Sequence, residues 1–127
     1  MPVSYDELTA GYEFPPVRYS LTSEIVEAYV QAVGADERAH VPPLAVAARA
    51  IATLGELIEL QPGTIHAAQE FELYRLVPVG AAVTCVATVA RKLSRGPMRM
   101  LTLEMNVSDE SGAPVQKGRS TIVLPEA

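Results

Sequence analysis

The stretch Pro42–Arg75 constrains the fold of this chain more than any other. It opens PPLAVAARAIATLGELIEL, breaks at Gln61-Pro62-Gly63, and resumes as TIHAAQEFELYR. Leu44, Ala47, Ala48, Ile51, Ala52, Leu54, Leu57 and Ile58 recur at helical spacing, while Arg49, Thr53, Glu56 and Glu59 fall close to one narrow polar stripe. The first part therefore predicts a long helix buried on most sides, and the second part a strand. The simplest way for a short chain to bury such a helix is to wrap a curved sheet around it.

The size fits that solution. A chain of 127 residues is expected to form one domain over 1–127 and to bury roughly two-thirds of its unfolded surface. The apolar content of 49% suits a folded core. A net charge of -5 lacks the basic footprint of a nucleic-acid binder, so no nucleic-acid partner is expected. No apolar run reaches the roughly 20 residues that span a bilayer, so no membrane partner is expected either. The start, MPVSYDELTAGYEF, carries acids where a secretory leader has a basic and then an apolar segment. Cys85 is the single cysteine and has no internal disulfide partner, which fits a reducing cytoplasm. No cysteine–histidine spacing points to zinc, and no metal is expected.

Along the chain, Met1 to Phe14 reads as an irregular lead-in. Val17, Tyr19 and Leu21 alternate as a first strand. Thr22 is the expected N-cap of a helix with Glu24 in its first turn, Ile25, Ala28, Tyr29, Ala32 and Val33 on one face, and Gly34 as its left-handed stop. Pro42 and Pro43 suit the first positions of the long helix. Four strands are expected after it. In the first, Ile65, Ala67, Phe71 and Leu73 share one face, and His66, Glu70, Glu72 and Tyr74 the other. In the second, Val83 to Ala90 is weakly polar at most on both faces, as in a central strand covered on both sides. The third places Leu101, Leu103, Met105 and Val107 together. The fourth, Ala113–Leu124, has Gly118 as a bulge site. This order predicts an α+β domain with helices on one side of an antiparallel sheet of about five strands. Such a sheet keeps an open edge, and a second copy commonly covers it.

Four segments together carry a family resemblance. YDELTAGYEFPPVRYSLTSEIVEAYVQAVGA, VPPLAVAARA, PGTIHAAQEFELYRLVPVGAAVT and SDESGAPVQKGRSTIVLP resemble, in order and over nearly the whole chain, the MaoC-like hydratases and dehydratases. Within that family the His-x-x-Gln-Glu-Phe strand looks most like the amino-terminal half of paired dehydratases. The resemblance implies the hot-dog fold, a sheet wrapped around a central helix. It also implies reversible addition of water to an enoyl thioester, with coenzyme A or acyl carrier protein as the substrate's carrier rather than as a bound cofactor. A homodimer, or a heterodimer with a related hot-dog chain, is implied as well. That chemistry needs a base for water, an acid for the alpha carbon, and amide donors for the thioester oxygen, often at a helix N-terminus.

The resemblance implies candidate site residues too. Catalytic members carry Asp, then Asn-Pro, then His five positions after the Asp. Here Asp36 and His40 are four apart and Asn-Pro is missing. They are either a working dyad or residues of a solvated turn. His66 is either a catalytic group facing a cleft near Glu70 or Tyr74, or a hydrogen-bonded strand residue. Glu70 and Glu72 share a strand face, as a catalytic pair or as a solvated surface. Glu56 on the long helix is where some hot-dog thioesterases place a carboxylate. Arg91, Lys92, Arg95 and Arg99 form a basic cluster suited to a coenzyme A phosphate or an acidic carrier protein, or simply a solvated turn. Cys85 reads as a small core residue rather than a nucleophile. A non-catalytic acyl-binding partner subunit and a thioesterase stay open as alternatives.

Overall fold

The structure is a computed structural model that describes residues 2–34 and 40–125. A single turn of 3-10 helix, Tyr5–Glu7, precedes strand β1 (Val17–Ser20), helix α1 (Ser23–Val33), helix α2 (Pro43–Leu57), and strands β2 (Ile65–Leu73), β3 (Ala82–Arg95), β4 (Met98–Ser108) and β5 (Pro114–Leu124). The strands form one antiparallel sheet in the order β1-β3-β4-β5-β2. The expected α+β architecture, an antiparallel sheet of five strands against a long helix, is what the chain adopts.

The core lies between α2 and one face of the sheet. Val83, Cys85, Ala87 and Val89 of β3 and Leu101, Leu103, Met105 and Val107 of β4 are all buried. Ser120, Ile122 and Leu124 of β5 continue that face. From α2, Ala45, Val46, Ala47, Ala50, Thr53 and Leu54 are buried. Thr53 satisfies its hydroxyl within the helix by donating to the Arg49 carbonyl at 3.1 Å, so it sits in the core without an orphaned polar atom.

Several expectations are corrected. Helix α2 is covered on one side only. Leu44 is 61% exposed, and Ala48, Ala52 and Gly55 share its open flank. The sheet ends at β2, and among the described residues no element reaches around the open flank of the helix. Among the described side chains of α1, Val26 and Val30 are buried and Tyr29 packs against the core as expected, with Ile25, Ala28 and Ala32 exposed. The true apolar stripe is therefore rotated by about one residue, or roughly 100°. Thr22 does cap α1, accepting from the Ile25 amide at 3.3 Å, and Gly34 is left-handed at φ 73. Strand β3 is next to the edge strand β1, and β4 is the central strand. The lead-in is less irregular than its sequence suggests. Tyr5, Leu8 and Phe14 are core residues, and the Gly11 and Phe14 amides donate to the Val89 and Ala87 carbonyls, extending the β1 side of the sheet.

Strand β2 carries the correction with most consequence. Its register against β5 shifts between His66 and Ala68, so Ala67 is the extra residue of a bulge. His66 pairs with Ile122 and Gln69 with Ser120, which puts both on the inner face. The expected grouping of His66 with Glu70, Glu72 and Tyr74 is broken, because one extra residue reverses every facing beyond it. Gly118 is not a bulge. It pairs in regular register with Phe71 and Met105, and a Cβ there would meet Phe71 Cε1 at 2.7 Å and Met105 Cε at 3.2 Å. The glycine is thus the floor on which the Phe71 ring lies. Gly118→Ala should lower stability by about 1–3 kcal/mol, as overpacking of a filled core does. Urea denaturation would show a lower midpoint at unchanged slope, and an unchanged midpoint would contradict the packing described.

Candidate functional site

The bulge at Ala67 turns His66 toward α2. There Ile51, Ala52 and Gly55 on the open side of the helix, the buried Leu54, Leu60 and Thr64 of the following connection and Ile122 of β5 line a pocket of about 350 Å³ with His66 in its wall. The lining is apolar apart from His66 and Thr64. Thr64 is already engaged, since its hydroxyl donates to the Gln61 carbonyl at 2.6 Å. His66 is held by Gln69. Its Nε2 lies 2.9 Å from Gln69 Oε1. The same oxygen accepts from the Ser120 hydroxyl, and Gln69 Nε2 donates to the Glu70 carbonyl at 3.1 Å. An amide, rather than Glu70 or Tyr74, orients the imidazole.

The other sequence candidates fall elsewhere. Asp36 lies outside the described residues. His40 is half-buried just ahead of α2 and makes an isolated antiparallel bridge with Pro78. From Pro43 to Ile51 the helix climbs about 12 Å at 1.5 Å per residue. His40 therefore stands at one end of α2 and His66 at the other, and one protomer does not bring them together. Glu70 and Glu72 lie on the outer face opposite Arg119 and Lys117, and Glu72 accepts from the Tyr74 hydroxyl at 2.6 Å. Glu56 is 3.7 Å from Arg49, with its side chain 59% exposed, and it does not line the pocket.

The basic cluster divides in two. Lys92 donates to the Leu8 carbonyl at 2.8 Å and stands 4.4 Å over the Tyr5 ring. Arg99 lies 5.1 Å from the same ring and donates from Nε to the Pro125 carbonyl at 2.9 Å. These two cations hold the chain ends in place. Arg91 and Arg95 are exposed. Arg99 also donates to Gln61 Oε1 at 3.2 Å. Since Gln61 accepts from Thr64, the β3–β4 hairpin stands at the same end of the sheet as the His66 pocket.

A second polar group, missed in the sequence because its members are far apart in the chain, lies between α2 and β1. Arg49 stacks 4.3 Å over Tyr19 and donates to Thr53 Oγ1 at 2.9 Å. Burial raises the Tyr19 phenol above its usual value, and the Arg49 charge only partly offsets this. The Tyr19 hydroxyl is buried without a hydrogen-bond partner among the described residues. Burial likewise pushes the Cys85 thiol from 9.0 up to about 11, against the opposing pull of Arg49.

No family model matches the sequence, and no curated protein matches it. Solved structures do match. The unliganded R-hydratase PhaJ1 from Pseudomonas aeruginosa superposes with a TM-score of 0.82 at 20% identity, covering 99% of this chain and 88% of that one. The MaoC-like dehydratase from Rhodospirillum rubrum gives 0.76 at 18% identity, covering 96% of each. The C-terminally truncated HadBC complex, a 3R-hydroxyacyl-ACP dehydratase from Mycobacterium tuberculosis, gives 0.73 at 15% identity, over 90% of this chain and 96% of that one.

The raised Cys85 pKa has a direct readout. Raising a thiol by about two units cuts its thiolate about a hundredfold at neutral pH. Native protein at pH 7 should therefore react with an aromatic disulfide reagent at no more than about a hundredth of the rate seen after unfolding. Equal rates would show the thiol to be accessible. These superpositions cover at least 90% of the chain at TM-scores of 0.73 to 0.82, and the chain has the hot-dog fold.

Proposed function

We propose that this hot-dog chain acts on acyl thioesters, as a hydratase or dehydratase or as one subunit of one. The observation that carries the reading is the apolar pocket along α2, with one oriented imidazole in its wall, on a framework shared with an R-hydratase and a hydroxyacyl dehydratase. A fatty acyl chain is the kind of ligand that such a lining suits.

A second copy of this chain, or a related hot-dog chain, completes the site. Strand β2 is a nine-residue edge with Ile65 at 60% and Leu73 at 52% exposure, beside the open flank of α2. An edge of that length and composition is a template for pairing. Antiparallel pairing of two β2 edges about a two-fold axis would set the α2 helices side by side in opposite directions. The His40 end of one helix would then stand by the His66 pocket of the other. That the HadBC structure is a complex supports a related hot-dog chain as the alternative partner.

In the addition of water, Asp36 and His40 would take the proton of the attacking water and return one to the alpha carbon, while the thioester oxygen gains charge. At the start of α2, Pro42 and Pro43 bring no amide hydrogen, and the Ala45 and Val46 amides turn back to the Pro42 carbonyl. The Leu44 amide is then the donor left for that oxygen. Arg91 and Arg95, exposed at the pocket end of the sheet, would meet a coenzyme A phosphate or an acidic carrier protein. Among the described residues no helix is long and apolar enough to cross a membrane, and the free thiol of Cys85 supports a reaction in the reducing cytoplasm. Catalysis by a thioesterase carboxylate is disfavoured, because Glu56 is paired with Arg49 outside the pocket.

The purified protein should consume the enoyl absorbance of crotonyl-coenzyme A without releasing thiol. His40→Ala and Asp36→Asn should each lower that rate at least about a hundredfold. Sedimentation should show a dimer that Ala52→Glu disrupts. Thiol release in place of hydration would make the protein a thioesterase. A folded dimer without turnover on short and long enoyl thioesters would make it the binding half of a two-chain enzyme.

A further inference from the structure

Strand β2 is the open end of the sheet on the α2 side, and its charges decide what can lie beside it. Its outward side chains end two rows that run across the sheet. In one row Glu104 of β4 faces Arg119 of β5, an ion pair at 3.0 Å, and Arg119 faces Glu70 of β2. In the other, Asn106 faces Lys117, and Lys117 faces Glu72. Both rows stop on a carboxylate at the open edge. Opposite charges directly across a ladder stabilise it and like charges weaken it. The strand that fits next to β2 therefore carries Lys or Arg at these positions.

A second copy of β2 offers neither. The segment Ile65–Leu73 holds no Lys or Arg, and its one imidazole, His66, faces inward opposite Ile122. The registers of a two-fold pair can be followed one by one. With both α2 helices on one side of the joined sheet, directly opposed residues share a face, so the axis falls on a residue. With the axis at Glu70 or Glu72, that carboxylate opposes its own copy. With the axis at Phe71, Glu70 opposes Glu72 twice. An axis at Gln69 sets the bulged Ala67 against Phe71, where the ladder is interrupted. An axis at Leu73 leaves half of the pairing beyond the end of the strand. Every register that keeps to the regular stretch of β2 sets acid against acid.

We propose that the β2 edge selects a partner chain whose own edge strand carries Lys or Arg opposite Glu70 and Glu72, in preference to a second copy of this chain. Such a cation would continue each row with the charge it lacks. The pair that this chain forms with itself is then the weaker one, held by the apolar flank of α2 against the repulsion of its edges. Charged edge strands exclude unwanted strands in this way, and selectivity needs only a difference between two affinities. The inference rests on the strand-paired, two-chain arrangement proposed above and not on the identity of the substrate.

The test uses the full chain, with a Glu70→Lys/Glu72→Lys double variant standing in for the cationic partner. Affinities are read by sedimentation of one labelled chain against the other. At low salt the mixed pair should form about tenfold more tightly than the wild-type pair, and high salt should narrow the gap. A Glu70→Gln/Glu72→Gln variant should pair with itself about fivefold more tightly than wild type does. If the lysine variant does not fold, the glutamine variant decides alone. Equal affinities for the wild-type and mixed pairs, no gain in the glutamine variant, or no association of any pair overturns the inference. Enoyl-thioester turnover by a wild-type pair as tight as the mixed one would keep the proposed activity and reject this selection. Charge selection in a chain inactive toward acyl thioesters would do the reverse.

Discussion

The close approach of α2 to the sheet is the contact on which the rest of the molecule depends. Ala45, Ala47 and Ala50 are buried, and such short side chains let the helix backbone lie close to its neighbours, with Leu101, Leu103 and Met105 buried on the sheet beside it. Both ends of the helix are tied down. Gln116 of β5 donates to the Pro43 carbonyl at 2.7 Å, and the Val3 amide donates to the Leu57 carbonyl at 2.9 Å. A helix held so firmly by one face has its opposite flank presented in a set orientation. That flank, with Ile51, Ala52 and Gly55, is the wall of the candidate site.

How much of this was legible in the sequence follows from the range of the interactions. Thr22 and Gly34 bound α1 as expected, because capping and left-handed backbone are local properties. The alternation of Leu101, Leu103, Met105 and Val107 marked the inner face of β4, because a regular strand preserves its period. The reading went astray where a partner distant in the chain decides the outcome. The α1 face was misplaced because Val26 and Val30 are chosen by what they pack on, not by their spacing. The bulge at Ala67 leaves no mark in an otherwise regular strand, yet it moved His66 to the other side of the sheet. The open flank of α2 was missed because an apolar stripe looks the same whether its cover lies in this chain or in another. His66 was singled out as a candidate, but Gln69 and Ser120, which orient it, were not. Only the β2–β5 register joins them.

The polar stripe of α2 shows how charge is tolerated near a core. Arg49 lies flat on Tyr19 and bonds Thr53, so its planar cation is met by a ring face and a hydroxyl rather than by water alone. Its contact with Glu56 is long and largely exposed and contributes little. The surrounding burial keeps the Tyr19 phenol and the Cys85 thiol protonated. The cluster is therefore a seam of neutral donors around a single cation, which holds α2 against β1 without making that side of the helix reactive.

Tyr5 joins the two ends of the chain to the basic hairpin. Its ring lies by both Lys92 and Arg99, and its hydroxyl donates to the Leu93 carbonyl at 3.1 Å. Lys92 in turn holds Leu8, and Arg99 holds Pro125. The first residues thus act as a counterweight to the hairpin's charge. Peeling them away would empty a core position and, in the same movement, release two cations to the solvent. A shortened amino terminus would therefore change how the surface meets anions as well as how tightly the domain is closed.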